Sequence, residues 1–415
     1  MEWGILIAEN AVLGSILKEP YLIKETNLQV DHFINHENKA IFAAMKKLDQ
    51  SNKPIDLVSI MTTGDVESMG GASNLQQLQA VANPEKFDDH VDIVMDKWRD
   101  REKNNLLHIA TQDNWSIEKV TSELSKLVDD KTHDRHKIAD LVADIFEAPW
   151  TKQETMKGIP TGLEVVDRLT GGWQNSKFIV IAGRPGAGKT DIALSFSKHA
   201  GWHGHVPIFF SLEMPANELR DRLISSVGRI EKGKFKNLER FLTDEEKDRW
   251  TEITGRVSMV NLEIYDDAGQ TLSEIRMKTR KTMSEYPGKK PVIVIDYLQL
   301  IRPAISMGGN RNLEVSEISR GLKELAKEFD CPVLCLAQLS REVEKRSDKR
   351  PMLSDLRDSG SIEQDADIVM FLYRDSYYTK DDTDKSLEMI FAKHRAGSTG
   401  TIQVYYDPAI GELSM

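Results

Sequence analysis

Eight consecutive residues, Gly183-Arg184-Pro185-Gly186-Ala187-Gly188-Lys189-Thr190, constrain this chain more than any other stretch. The apolar run Phe178 to Ala182 precedes them, and Ala193, Leu194, Phe196 and Ala200 follow at helical spacing. The order is therefore strand, tight glycine turn, helix. A bound triphosphate needs a concave ring of backbone N–H groups and the positive end of a helix dipole. Only residues without side chains let the backbone close in, and Gly183, Gly186 and Gly188 supply them. In such a loop Lys189 reaches the β- and γ-phosphates, and the Thr190 hydroxyl ligates the magnesium that bridges them. Residues 183–190 are the candidate nucleotide-binding set.

From Gly158 to the end, apolar runs of strand length alternate with helical patterns. The predicted strands are Phe178 to Ala182, Pro207 to Ser211, Val292 to Ile295, Val333 to Ala337, Ile368 to Tyr373 and Met389 to Lys393, with a closing hairpin over Thr401 to Leu413. Strands separated by helices imply a mostly parallel α/β sheet covered on both faces, with its chemistry at the carboxyl ends of the strands. The first 85 or so residues read instead as a small all-α domain. Ile5, Ala8, Val12, Leu13, Ile16 and Leu17 share one helical face, and Ala40, Ile41, Ala44, Met45 and Leu48 another. From Phe87 to Leu127 the apolar spacing predicts two longer helices, an αα-hairpin whose outer stripe packs either on a partner or on its own domain. Asp129 to Lys137 has the charge of a linker, and Ile138, Leu141, Val142, Ile145 and Phe146 mark an amphipathic helix stopped by Pro149. That helix is read as a tether onto a neighbouring subunit or onto its own domain. The expected division is residues 1–128, 129–157 and 158–415.

With 415 residues, 29% charged and 40% hydrophobic, the chain has core material for two domains. Its net charge of −11 confines any grip on nucleic acid to a local groove or lumen. Cys331 and Cys335, four apart in one apolar run, are expected as buried thiols of a reducing compartment. No apolar run has the length of a membrane span and no basic leader opens the chain, so a cytoplasmic location is expected.

The predicted strand ends carry chemistry. Glu213 follows the second strand, where a carboxylate orients and deprotonates the water attacking a γ-phosphate; the alternative is a helix-capping acid. Asp296 follows four aliphatic residues, and magnesium coordination accounts for a carboxylate in such a place. Gln338 ends the next strand and is a candidate phosphate sensor. After it runs a basic loop with Arg341, Lys345, Arg346, Lys349 and Arg350, leading to Arg357-Asp358-Ser359-Gly360. A second loop, Pro303 to Asn312, carries Arg311. Both loops suit phosphate contacts without base reading, or are solvated charge. Lys393 and Arg395, remote in sequence from the phosphate loop, are candidates for charge supplied to a neighbouring subunit, the alternative being a surface cation pair.

Residues 183–190, Ser211-Leu212-Glu213-Met214, Ile295 to Leu300, Gln338 to Arg341, Asp355 to Asp367 and Lys393 to Gly400 together resemble the DnaB-type replicative DNA helicases. Ala11 to Gly14 and Pro54 to Asp56 extend the resemblance to the N-terminal helices, so it spans nearly the whole chain. The length fits a compact, phage-encoded member. The resemblance implies a RecA-like motor domain behind a helical domain, assembled as a homohexameric ring around one DNA strand. It implies hydrolysis of ATP with Mg2+ at subunit interfaces, 5′ to 3′ translocation, unwinding of forked DNA, and primase or helicase-loader contacts through the N-terminal domain. Matched motif by motif, Lys189 and Thr190 hold phosphate and metal, Glu213 is the base, Asp296 the metal acid and Gln338 the sensor. Arg395 is then the finger from the adjacent subunit with Lys393 beside it, and Arg357, Asp358, Ser359 and Gly360 form the DNA loop. Departures from the family pattern are Ala396 and Ser398, where Asn and Pro are usual, and Asp358 in place of Glu.

Overall fold

The computed structural model describes residues 2–116, 119–120, 123–124, 138, 142, 146, 149–150, 158–303, 311–356, 360–379, 381 and 383–414. Most of the second hairpin helix, the linker, much of the tether helix, Gly308 and Gly309, and Arg357, Asp358 and Ser359 lie outside the described residues. The chain divides into two compact units, Met1–Gln153 and Glu154–Met415.

The C-terminal unit is a mixed nine-stranded sheet in the order β3-β2-β4-β5-β1-β6-β7-β8-β9. Its strands are β1 (Phe178–Gly183), β2 (Val206–Ser211), β3 (Glu263–Tyr265), β4 (Pro291–Asp296), β5 (Val333–Gln338), β6 (Ile368–Tyr373), β7 (Ser386–His394), β8 (Gly400–Asp407) and β9 (Glu412–Ser414). Pairings from β3 across to β6 are parallel, and β6 to β9 are antiparallel. Strict alternation along the strands builds two cores. Ile179 and Ile181 of β1 face one side with Leu334, Leu336, Val292 and Val294, under the helix Lys189–Trp202. Phe178, Val180 and Ala182 face the other with Val333, Cys335, Ile293 and Ile295, under the helix Arg311–Glu328. Burial on both faces explains why these strands read as continuous apolar runs. The predicted strands coincide with β1, β2, β4, β5, β6 and β7 to within a few residues, and the closing hairpin with β8 and β9. The sequence reading missed β3: it is a three-residue, half-buried edge strand with Glu263 at its head, too short for a run to register.

Cys331 and Cys335 are free and buried. Burial pushes both thiols well above their usual range. No helix among the described residues is long and apolar enough to cross a membrane.

The N-terminal unit is all helical over its described residues. The helix Glu2–Lys18 buries Ala8, Val12, Leu13, Ile16 and Leu17 in one core with Ile41, Phe42, Ala44, Met45 and Leu48 of the helix His36–Gln50. Glu9 is a carboxylate inside this core, satisfied by the backbone N–H groups of Ile34 (2.5 Å) and Asn35 (3.3 Å) and the Asn38 amide (3.0 Å). The helix Phe87–Gln112 is anchored by Phe87, Val94 and Met95, while Leu107 and Ile109 near its far end stay exposed. Ile138, Val142, Phe146 and Trp150 are exposed as well.

At Gly14 the first helix passes close against another helix of this unit. A Cβ added there would lie 2.0 Å from the Leu78 carbonyl oxygen on the helix Gly71–Ala80. Gly14→Ala is expected to destabilise the unit by about 1–3 kcal/mol through overpacking, lowering its melting temperature by roughly 5–20 °C. Gly4→Ala is the control, because a Cβ on Gly4 meets nothing within 4 Å. Calorimetry in which both variants melt alike would remove the close crossing as the cause.

Candidate nucleotide site

The site lies where β1, β2, β4 and β5 end. β1 runs into the turn and the helix Lys189–Trp202 begins at once, capped by Gly188 in the left-handed region at φ 96°. A side chain there would strike the Tyr406 ring, 2.8 Å from an added Cβ. The Lys189 ammonium donates to the carbonyl oxygens of Gly183 (3.0 Å) and Arg184 (3.2 Å). Burial pulls its pKa down, and the nearby Asp296 and Glu213 carboxylates oppose that shift.

Parallel register brings the other groups in. Ser211 pairs with Asp296 and Gly183 with Gln338, so these strands end together beside the turn. The Leu212 N–H donates to the Asp296 carbonyl (2.8 Å) and the Ser211 hydroxyl to the Met214 carbonyl (2.6 Å), fixing the bend that carries Glu213. Asp296 is only 2% exposed, and its carboxylate accepts from the Thr190 hydroxyl at 2.7 Å. Burial raises its pKa; the Thr190 bond counters this, and the Glu213 charge adds to it. Lys189, Thr190, Glu213, Asp296 and Gln338 line one cavity of about 360 Å3, within the range that holds small ligands.

Two hard oxygen donors, the Thr190 hydroxyl and the Asp296 carboxylate, beside the glycine turn suit magnesium, which keeps waters and substrate oxygens as its other ligands. Among the described residues no cluster of three or more His, Cys, Asp or Glu forms a fuller metal cage.

Four residues of this cavity were missing from the sequence reading. Buried Asp191, next to Thr190, accepts from Arg222 (2.9 Å), Lys232 (2.5 Å) and the Tyr406 hydroxyl (2.6 Å). Burial alone would push its carboxyl up, but Lys232 and Arg222 outweigh that and hold it below the usual range. The acid adjoining the phosphate loop was visible in the sequence; its partners, up to 215 positions away, carried no local signal. The Arg184 side chain also departs from expectation. It lines an adjoining cavity of about 580 Å3 with Gln299 and Arg341 instead of the nucleotide cavity.

Comparison with known proteins bears on the whole chain. The DnaB-like helicase C terminal domain family matches residues 158–414, and the DnaB-like helicase N terminal domain family matches residues 5–96. The chain belongs to the DnaB-like helicase family. It is 36% identical over 420 residues to the replicative DNA helicase DnaB of Geobacillus stearothermophilus, covering 96% of this chain and 92% of that protein. Identity and coverage are the same with the replicative DNA helicase DnaC of Bacillus subtilis (strain 168). A solved DnaB-like replicative helicase, described together with its interactions with primase, aligns with TM-score 0.65 at 37% identity over 98% of this chain and 99% of that one. A second solved structure, an isolated ATPase domain, aligns with TM-score 0.64 at 40% identity, covering 68% of this chain and 99% of that one.

The remaining residues matched to DnaB-like motifs lie elsewhere. Lys393 pairs with Val369 on β6, and the Arg395 N–H donates to the Asp367 carbonyl (2.9 Å), whose own N–H donates to the Phe178 carbonyl (2.8 Å). Arg395 is therefore level with the first residue of β1, while the phosphate loop leaves the last. At about 3.3 Å per residue, roughly 17 Å of strand separates them, more than an arginine side chain spans. The Lys393 and Arg395 side chains donate to the carbonyls of Glu363 and Gln364 at the end of the helix Gly360–Asp365.

Gly360 opens that helix in open space. Arg311 is engaged, donating to the Gln299 carbonyl (2.5 Å) and Glu314 (3.2 Å). In the basic loop, Lys345 pairs with Glu342, Arg346 with Asp355 and Arg350 with Glu388, each at 2.6 Å. Much of the run's charge is thus committed within the chain.

Proposed function

We propose that this chain hydrolyses ATP at the seam between neighbouring copies in a homohexameric ring and uses the step to move 5′ to 3′ along single-stranded DNA. Its membership of the DnaB-like family makes it an ATP-dependent replicative DNA helicase. One observation carries the finer reading: each chain holds a phosphate site at one end of its sheet and the Lys393–Arg395 cations at the other, so a complete site needs two copies.

In this reading the turn N–H groups and Lys189 bind the phosphates, and Glu213 accepts the proton of the attacking water. Gln338 hydrogen-bonds the γ-phosphate and registers its loss. Arg395 of the adjoining copy, with Lys393, neutralises charge that grows on the transferring phosphoryl group. The Thr190 hydroxyl and Asp296 carboxylate would hold Mg2+, which would supply positive charge against the negative charge that develops on the phosphate oxygens. Arg357, Asp358, Ser359 and Gly360, with Arg311, are the proposed DNA contacts. Exposed apolar side chains at Ile138, Val142, Phe146 and Trp150 support docking of the tether on a second copy. The N-terminal unit is the proposed meeting point for primase or a loader, in a cytoplasmic replication complex.

A forked duplex with a free 5′ tail tests the proposal. ATP-dependent strand separation, with hexamers in native mass spectrometry, supports it; strand exchange without unwinding would indicate a recombinase instead. Arg357→Ala is expected to weaken single-strand binding and flatten its salt dependence by about 0.7 in log–log slope, the change for one phosphate no longer neutralised. Unchanged affinity and slope would take Arg357 off the path.

A further inference from the structure

Residues 183–190 contain one long side chain that turns away from the cavity lined by Lys189 and Thr190. Arg184, its side chain only 10% exposed, donates to the Leu339 carbonyl (2.9 Å) and to Glu344 (2.8 Å). Both acceptors belong to the segment leaving β5 directly after Gln338. That segment is closed on itself. Leu339 bridges Leu356, the Ser340 N–H donates to the Asp355 carbonyl (2.8 Å), and the Asp355 carboxylate takes Arg346 and the Met352 N–H (2.8 Å). The next residue is Arg357.

We propose that Glu344 is a positioning residue that makes nucleotide turnover respond to DNA, by holding the basic loop to the phosphate loop through Arg184. The inference rests on the ATP and DNA roles proposed above. Among the described residues, Arg184–Glu344 is the one ion pair between these two loops. Lys345 and Arg346 pair within the basic loop and Arg350 with β7, so these three pairs stabilise its shape without linking it to the nucleotide. Glu344 supplies the opposite charge that offsets burial of this guanidinium, and the Leu339 carbonyl is its second acceptor. A shift of the turn when phosphate enters or leaves therefore reaches the base of the loop that ends at Arg357, and DNA held by that loop biases the turn in return. Such coupling is reciprocal and has a measurable size.

The experiment compares the wild-type chain with Glu344→Gln and Glu344→Asp. ATP turnover is measured with and without single-stranded DNA, and DNA affinity with a non-hydrolysable ATP analogue or with ADP. Glu344 is 39% exposed on a surface turn, so both variants are expected to fold. Glu344→Gln should keep DNA-free turnover within about twofold of wild type. It should lose at least about fivefold in stimulation by DNA, and its affinity ratio between the two nucleotides should move towards one. Glu344→Asp, which keeps the charge, should recover part of both. Wild-type stimulation in Glu344→Gln would overturn the inference alone, and so would equal loss of DNA-free and DNA-stimulated turnover, the mark of mere structural support. A wild-type chain whose turnover ignores DNA would overturn this inference and the DNA-coupled reading together.

Discussion

Lys189→Ala should all but abolish ATP hydrolysis, with turnover falling by about 10^2- to 10^3-fold, the scale seen when a preorganised donor to developing charge is removed. The ammonium sits inside the turn, on the carbonyl oxygens of Gly183 and Arg184, beside the Asp296 and Glu213 carboxylates. Alanine leaves those two acids facing the phosphates without the opposing charge, so nucleotide affinity should weaken as well. Phosphate release and titration with a fluorescent ATP analogue measure the two effects separately. Turnover within about tenfold of wild type would remove Lys189 from the chemistry, and with it the reading of residues 183–190 as the hydrolytic site.

Arg395→Ala should behave differently. Its side chain lies at the other end of the sheet from its own turn, so ATP binding by the mutated chain should be unchanged. Turnover in assembled rings should fall by about 10^3 to 10^5, the range for loss of a charge supplied by a neighbour. Mixing Lys189→Ala with Arg395→Ala chains distinguishes this from a local defect. At equal amounts about a quarter of the head-to-tail seams would join an intact phosphate site to an intact arginine, and activity should reappear although neither parent has it. Mixtures shown to co-assemble that stay inactive would rule out catalysis across the seam.

What could be read in advance followed from how each feature is encoded. Five of the six parallel strands were legible because burial on both faces turns them into unbroken apolar runs. The glycine turn was legible because its neighbours in space are its neighbours in sequence. β3 was not, since three half-buried residues at an edge carry no periodic signal. The anchoring of Asp191 by Arg222, Lys232 and Tyr406 was hidden because its partners come from distant elements. Arg184 was grouped with the nucleotide-binding residues by position alone, whereas its side chain leaves the turn for Glu344.

The sequence by itself determined the fold class, the family and the inventory of reactive groups, because local apolar period and contiguous motif are properties of the chain. Only the tertiary structure decided which of those groups share a cavity. Strand register brings Thr190, Glu213, Asp296 and Gln338 to one end of the sheet and leaves Lys393 and Arg395 near the other. That separation depends on the direction and pairing of strands distant in sequence, which no local pattern specifies.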